Sequence, residues 1–188
     1  DLRALCKYEK SYKAKHHLIP GSGIDPSLYN IKPFPKAKRV IYVGRMIFEK
    51  GLKTFIECAQ SLSDIRNDIS FVMVGPYDKG NPSAINKDLI NHWTKNPAIE
   101  YWGHEDNITR VYEKASIVVL PSLREGMPKV LMEAGLSGRP VIASNVPGCR
   151  DVVLNEKTGL LFKLNDVNDL EKKILKIIDD LPTMRVMG

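Results

Sequence analysis

A chain of 188 residues, 43% hydrophobic and 27% charged, has globular proportions. They exclude a fibre or a disordered tail and fit one domain. The net charge of +6 is unevenly placed, since residues 1–53 hold 12 Lys/Arg against 4 Asp/Glu. Such a basic opening suits an anionic partner, with a phosphorylated ligand or an anionic lipid expected rather than nucleic acid. The longest apolar run, Ile117-Val118-Val119-Leu120, is far shorter than the ~20 residues of a membrane helix. The three cysteines, at 6, 58 and 149, lack metal-ligand spacing. Reduced thiols, a cytoplasmic location and no metal site are therefore expected. The opening Asp1-Leu2-Arg3, with no initiator Met or signal pattern, reads as the start of an excised fragment.

In chain order, residues 1–38 are polar, basic and then Pro-rich, and they read as an interdomain linker feeding a compact unit over 39–188. Val40-Ile41-Tyr42-Val43 ends at Gly44 and predicts a buried strand. Leu52, Phe55, Ile56, Ala59 and Leu62 share one helical face. Phe71 to Val74 predicts a second strand, and Ile85, Leu89 and Trp93 a helix. Ile99 to Trp102 is a short strand ending at Gly103, followed by a short helix over 107–114. Ile117 to Leu120 is another strand. Pro128 opens a helix running to about Ser137, because proline is favoured at the first helical position. Pro140 to Ala143 is a strand, Val152-Val153 and Leu160-Leu161-Phe162 are weak strands, and Leu170, Ile174 and Ile177-Ile178 mark a last helix. Continuously apolar strands alternating with helices predict an α/β fold, a doubly wound parallel sheet covered on both faces. Ligands in such folds sit outside the carboxyl ends of the strands.

Two of the loops at those ends carry chemistry. Gly44-Arg45 through Glu49-Lys50-Gly51 is neither a dinucleotide fingerprint nor a P-loop. It places Arg45 and Lys50 where a strand feeds a helix. Guanidinium and ammonium there suit a diphosphate, and an anion would relieve the conflict between a cation and the positive helix N-terminus. An ordinary Arg and Lys at a helix start is the competing reading. The second loop, Pro121 to Ala134, holds Glu125 in the loop and Glu133 about a turn and a half into the helix. Gly126 permits close backbone approach. The first-turn amides of Lys129 and Val130 lack intrahelical partners and can face an anion. Each carboxylate can accept from sugar hydroxyls, or the two can simply be a capping and a solvent-facing glutamate.

The run Glu125-Gly126-Met127-Pro128 to Glu133-Ala134 resembles the Glu, seven residues, Glu signature of the retaining family-4 glycosyltransferases of GT-B fold. Gly44-Arg45 with Lys50-Gly51, Val72 to Gly75, Trp102-Gly103-His104, Val119 to Ser122, Pro140 to Ala143 and Thr158 to Leu161 follow in that family's order, over residues 18–180. The resemblance implies one Rossmann-like half of a GT-B enzyme, the C-terminal half that binds a nucleotide-sugar. It implies catalytic roles for Glu125, Arg45 and Lys50. Arg45 and Lys50 would hold the diphosphate, Glu133 the ribose, and Glu125 the transferred sugar. Amides of Gly126, Met127, Lys129 and Val130 would approach sugar and phosphate, and the loops at Gly75, Trp102 and Gly103 would line the base. Trp102 stacks on the base or belongs to the core.

Further implications are a missing N-terminal acceptor domain, a truncated final return helix and a saccharide or lipid-linked acceptor. No cofactor and no essential metal are implied, in keeping with the absence of Asp-x-Asp. Where the family often has two glycines, Pro147 precedes Gly148, which puts the flexibility of that loop in doubt. Pro147-Gly148-Cys149-Arg150 resembles members that use UDP-sugars in bacterial polysaccharide assembly, working in the cytoplasm or as peripheral proteins at the inner membrane face. Two alternatives stand beside the transferase: a non-catalytic nucleotide-binding module, and a GT-B sugar epimerase whose acid/base groups come from the other half.

Overall fold

The computed structural model describes residues 21–188. The opening part of the segment read as a linker, residues 1–20, and with it Cys6, lies outside the described residues. Six strands form one parallel sheet: β1 (Lys38–Val43), β2 (Ile69–Val74), β3 (Ile99–Gly103), β4 (Ile117–Leu120), β5 (Val141–Ser144) and β6 (Gly159–Phe162). Their order is β3-β2-β1-β4-β5-β6. The chain runs outward from β1 to β3, then returns to lay β4 against the other side of β1, with Ile41 opposite Val72 on one side and Val118 on the other. That reversal between β1 and β4 is the point where doubly wound folds place their ligands.

Among the described residues, seven helices accompany the strands: α1 (Leu52–Ser63), α2 (Lys87–Trp93), α3 (Ile108–Lys114), α4 (Lys129–Leu136), α5 (Pro147–Val152), α6 (Val167–Ile177) and α7 (Leu181–Met187). Strand side chains alternate between two cores. Val40, Tyr42, Phe71 and Met73 pack with α1, α6 and α7 on one face. Ile41, Val43, Val72 and Val74 pack with α3, α4 and α5 on the other. Both sets are buried, which is why these strands read as unbroken apolar runs rather than alternating ones.

The α1 face expected from periodicity (Leu52, Phe55, Ile56, Ala59, Leu62) is buried throughout. Gly51 lets the chain enter it. Its φ of 73° is left-handed, and a Cβ there would lie 1.9 Å from the Pro121 carbonyl oxygen, so no other residue fits this approach.

The structure corrects several boundaries. Val152 ends α5 instead of starting a strand, and Val153 follows it as a buried cap. An extended Val146 with Pro147 at the first helical turn makes a helix of that stretch. Pro128 is the residue before α4 rather than its first, and Ile85 precedes α2. The helix α7 lies beyond the last helix read from periodicity, at the chain's close, where the resemblance implied a truncated return helix. Asp180 starts it by accepting from the Thr183 amide at 3.0 Å, with a proline in the first turn.

Residues 21–37 carry one 3-10 turn, Pro26–Leu28, and touch the segments on either side of α4. Gly21 abuts Met127 and Ile31 abuts Gly138. The fully buried Arg139 donates from Nη2 to the Pro33 carbonyl (3.1 Å), and its guanidinium lies 4.8 Å from the Phe34 ring centre. No helix among the described residues is long and apolar enough to cross a membrane.

Candidate functional site

The loop after β1 begins by extending the sheet, with the Gly44 amide donating to the Val74 carbonyl at 2.9 Å. Beneath it the buried Tyr42 donates its hydroxyl to the Arg45 carbonyl at 2.8 Å. Burial, and after it the negative charge of Glu125, raises the Tyr42 pKa, so the phenol stays a donor. The Arg45 side chain is half-exposed and pairs with Asp78, Nη1 to Oδ2, at 3.0 Å. A 3-10 turn, Phe48–Lys50, then aims Lys50 across the reversal point. Its Nζ lies 2.6 Å from Glu125 Oε1, in a pair whose side chains are 24% and 10% exposed.

The loop after β4 is stitched to the first. The Leu123 amide donates to the Glu49 carbonyl at 2.9 Å, and Gly51 packs on Pro121. From below, the Ser144 hydroxyl donates to the Ser122 carbonyl. Gly148 holds the far side: a Cβ there would lie 2.1 Å from the Gly126 carbonyl oxygen and 2.5 Å from that of Glu125. The second position of the Pro147-Gly148 pair is therefore the one that must be glycine, whereas proline suits the first because it opens α5. Gly126 itself is exposed, with open space where a side chain would stand. At the start of α4 no side chain caps the helix, leaving the amides of Lys129 and Val130 facing outward from the first turn. One turn on, Glu133 accepts from the Tyr112 hydroxyl at 2.7 Å.

Gly75 and Gly103 meet through backbone, Gly75 N–H to Gly103 carbonyl at 2.8 Å. Tyr101 adds a hydroxyl donated to the Gly75 carbonyl at 3.0 Å. Trp102 belongs to the second core's margin. Its indole N–H donates to Glu100 at 2.7 Å, and the Lys114 ammonium sits 5.1 Å from its ring centre. His104 is exposed beside Asp106 at 3.1 Å.

The structure thus joins Lys50 to Glu125, whereas the Arg45 side chain on the same loop pairs with Asp78. Glu133 stands apart, on α4 against α3. Sequence reasoning missed the partners: Asp78 for Arg45, Tyr42 beneath the loop and Tyr112 for Glu133. None lies in a motif, and the pairs Lys50–Glu125 and Tyr112–Glu133 are 75 and 21 residues apart, so no local signal marks them.

The model for the family described as "Glycosyl transferases group 1" matches residues 29–188. Among curated proteins, the chain is 33% identical over 141 residues to the N,N'-diacetylbacillosaminyl-diphospho-undecaprenol alpha-1,3-N-acetylgalactosaminyltransferase of Campylobacter jejuni, covering 75% of this chain and 35% of that protein. It is 31% identical over 140 residues to the UDP-Gal:alpha-D-GlcNAc-diphosphoundecaprenol alpha-1,3-galactosyltransferase of Escherichia coli, covering 73% and 36%. The chain thus spans about a third of the length of these relatives. Among solved structures, sucrose-phosphate synthase of Thermosynechococcus elongatus superposes with a TM-score of 0.82 at 26% identity, over 100% of this chain and 49% of that one. HepE of Anabaena with UDP-glucose superposes with a TM-score of 0.76 at 20% identity, over 88% and 48%, a likeness of fold. These neighbours are GT-B enzymes, and the six-stranded sheet is one Rossmann-like half of that architecture. With the family's model running from Tyr29 to the last residue, the chain belongs to the group 1 glycosyltransferases.

Proposed function

We propose that this chain binds the nucleotide-sugar donor, a UDP-sugar, for a transferase that moves a hexosyl group to a saccharide or lipid-linked acceptor with retention of configuration. The observation that carries the reading is the Lys50–Glu125 pair, which spans the loops after β1 and β4 at the sheet's reversal point. A cation there stabilises the negative charge that develops on the departing diphosphate, and Arg45 adds a planar fork to the same task. Glu125 faces the transferred sugar, and Glu133 the ribose. The outward amides of Lys129 and Val130 serve the phosphates, and those of Gly126 and Met127 the sugar. Backbone at Gly75 and Gly103 lines the base. With Lys50 and Arg45 neutralising the leaving group, no metal or cofactor is needed for binding. Relatives named for UDP-galactose and for undecaprenol-linked acceptors support donor and acceptor class alike. The acceptor is held by an N-terminal domain outside these residues, and the whole enzyme works in the cytoplasm, touching the inner membrane face peripherally.

Calorimetric titration of the chain with UDP, GDP, ADP and NAD tests this. Two or three charge-assisted hydrogen bonds, less the cost of association, give UDP a dissociation constant of about 0.01–1 mM. Binding should survive EDTA and weaken by roughly tenfold or more in Lys50→Ala. Binding of no nucleotide, or equal binding by Lys50→Ala, counts against the assignment.

A further inference from the structure

Glu133 lies on α4, yet what holds it comes from another element. Tyr112, on α3, is fully buried, and its hydroxyl donates to Glu133 Oε2 at 2.7 Å. The backbone carrying that phenol is itself pinned, because the fully buried Arg139 donates from Nε to the Tyr112 carbonyl at 2.8 Å. Tyr29 packs against the same core from residues 21–37, and its pKa is raised by burial and then by the charge of Glu133. Glu133 is a partly buried residue, and one of its carboxylate oxygens is engaged from within by the phenol.

A glutamate on a helix surface has several rotamers, and recognition of a hydroxyl by it must first restrict them. A buried phenol donating to one oxygen removes most of that freedom in advance, and a hydrogen bond to a carboxylate is among the stronger ones. We propose that Tyr112 is a positioning residue: its hydroxyl holds the Glu133 carboxylate in the orientation in which the remaining acceptor sites take the ribose hydroxyls of the donor. This rests on the reading that Glu133 faces the ribose. Tyr112 touches no ligand and acts only through Glu133.

The competing account is that the Tyr112 hydroxyl merely needs a partner inside the protein. The two differ in what Tyr112→Phe does to sugar discrimination. Wild type and Tyr112→Phe are titrated with UDP and with 2'-deoxy-UDP and 3'-deoxy-UDP, after thermal melts show both folded. In the wild type, UDP should bind roughly 5- to 50-fold more tightly than at least one deoxy analogue. In Tyr112→Phe, UDP affinity should fall about three- to tenfold while the affinity for that analogue stays level, so the ratio shrinks. In the wild type itself, the phenol-carbon resonance of Tyr112 should move on adding UDP and move less with the analogue. Equal weakening of UDP and analogue in Tyr112→Phe, no weakening, or an unmoved resonance each overturns the proposal. UDP binding with no ribose discrimination in the wild type overturns the Glu133 assignment and this inference together, leaving the diphosphate reading standing. Absence of UDP binding overturns the donor reading first.

Discussion

At the scale of the residue, burial separates the groups that can react from those that cannot. Cys149 sits on α5, fully buried beneath the loop of Glu125. Burial, with the Glu125 charge behind it, pushes its pKa up to about 12, so the thiolate is scarce at neutral pH. Cys58, on α1, is likewise buried and raised. Both thiols should resist iodoacetamide in the native chain and react within minutes in guanidinium, as peptide mass mapping would show. Rapid native labelling of Cys149 would mean that α5 opens away from Gly126. The acidic and basic candidates keep more exposure, from 10% for the Glu125 side chain to 53% for Arg45. Sequence placed Arg45, Lys50 and Glu125 on ligand-edge loops and Glu133 on the helix that follows, because strand ends and helix starts have local signatures. It left Tyr112 unmarked because an apolar-face tyrosine on a short helix looks like any core residue.

At the scale of the element, the loops after β1 and β4 form one structure rather than two. Gly51 touches Pro121, the Leu123 amide donates to Glu49, and Gly148 closes on Gly126. A methyl group at Gly51 meets a carbonyl oxygen at 1.9 Å and a left-handed φ at once. Gly51→Ala should therefore cost about 2–4 kcal/mol of stability, read as a lowered urea midpoint with unchanged slope. It should also weaken UDP binding, because Lys50 precedes it. At Gly126 a Cβ meets nothing within 4 Å, so Gly126→Ala should leave stability within about 0.5 kcal/mol and change only ligand binding. Comparable destabilisation in both variants would contradict this division. Helix α5 shows where element prediction fails: Val152-Val153 has strand propensity, but Pro147 and the packing of Gly148 commit the stretch to a helix, and tertiary contact overrides a short β-branched run.

At the scale of the whole molecule, an ionic cluster at the amino end of the sheet ties together parts distant in sequence. Lys38 meets Asp68 at 2.7 Å and Asp179 at 2.5 Å, and Arg66 meets the same two carboxylates at 2.7 and 2.9 Å. Hydrogen bonds from Arg66, and then from Lys38, lower the pKa of both Asp68 and Asp179 below the usual carboxylate value. A depressed folded pKa gives stability that is present above the unfolded value of about 3.9 and is lost as pH falls through the folded one. Both carboxylates are well exposed, 43% and 50%, so solvent limits the contribution to about 1 kcal/mol. Urea midpoints at pH 7, 5 and 3 should fall below pH 4, and fall less in Asp179→Asn. Identical pH profiles would remove the cluster from the account.

The alternation of apolar strands with helices, and the loops that carry the cations and carboxylates, were determined by sequence alone, since burial on two faces and helix boundaries leave local patterns. The strand order, the meeting of Lys50 with Glu125, the hold of Tyr112 on Glu133 and the two glycine contacts were decided only in the tertiary structure. They depend on which strand lies beside β1 and on backbone approaches between segments far apart in the chain, and residue spacing carries no record of either.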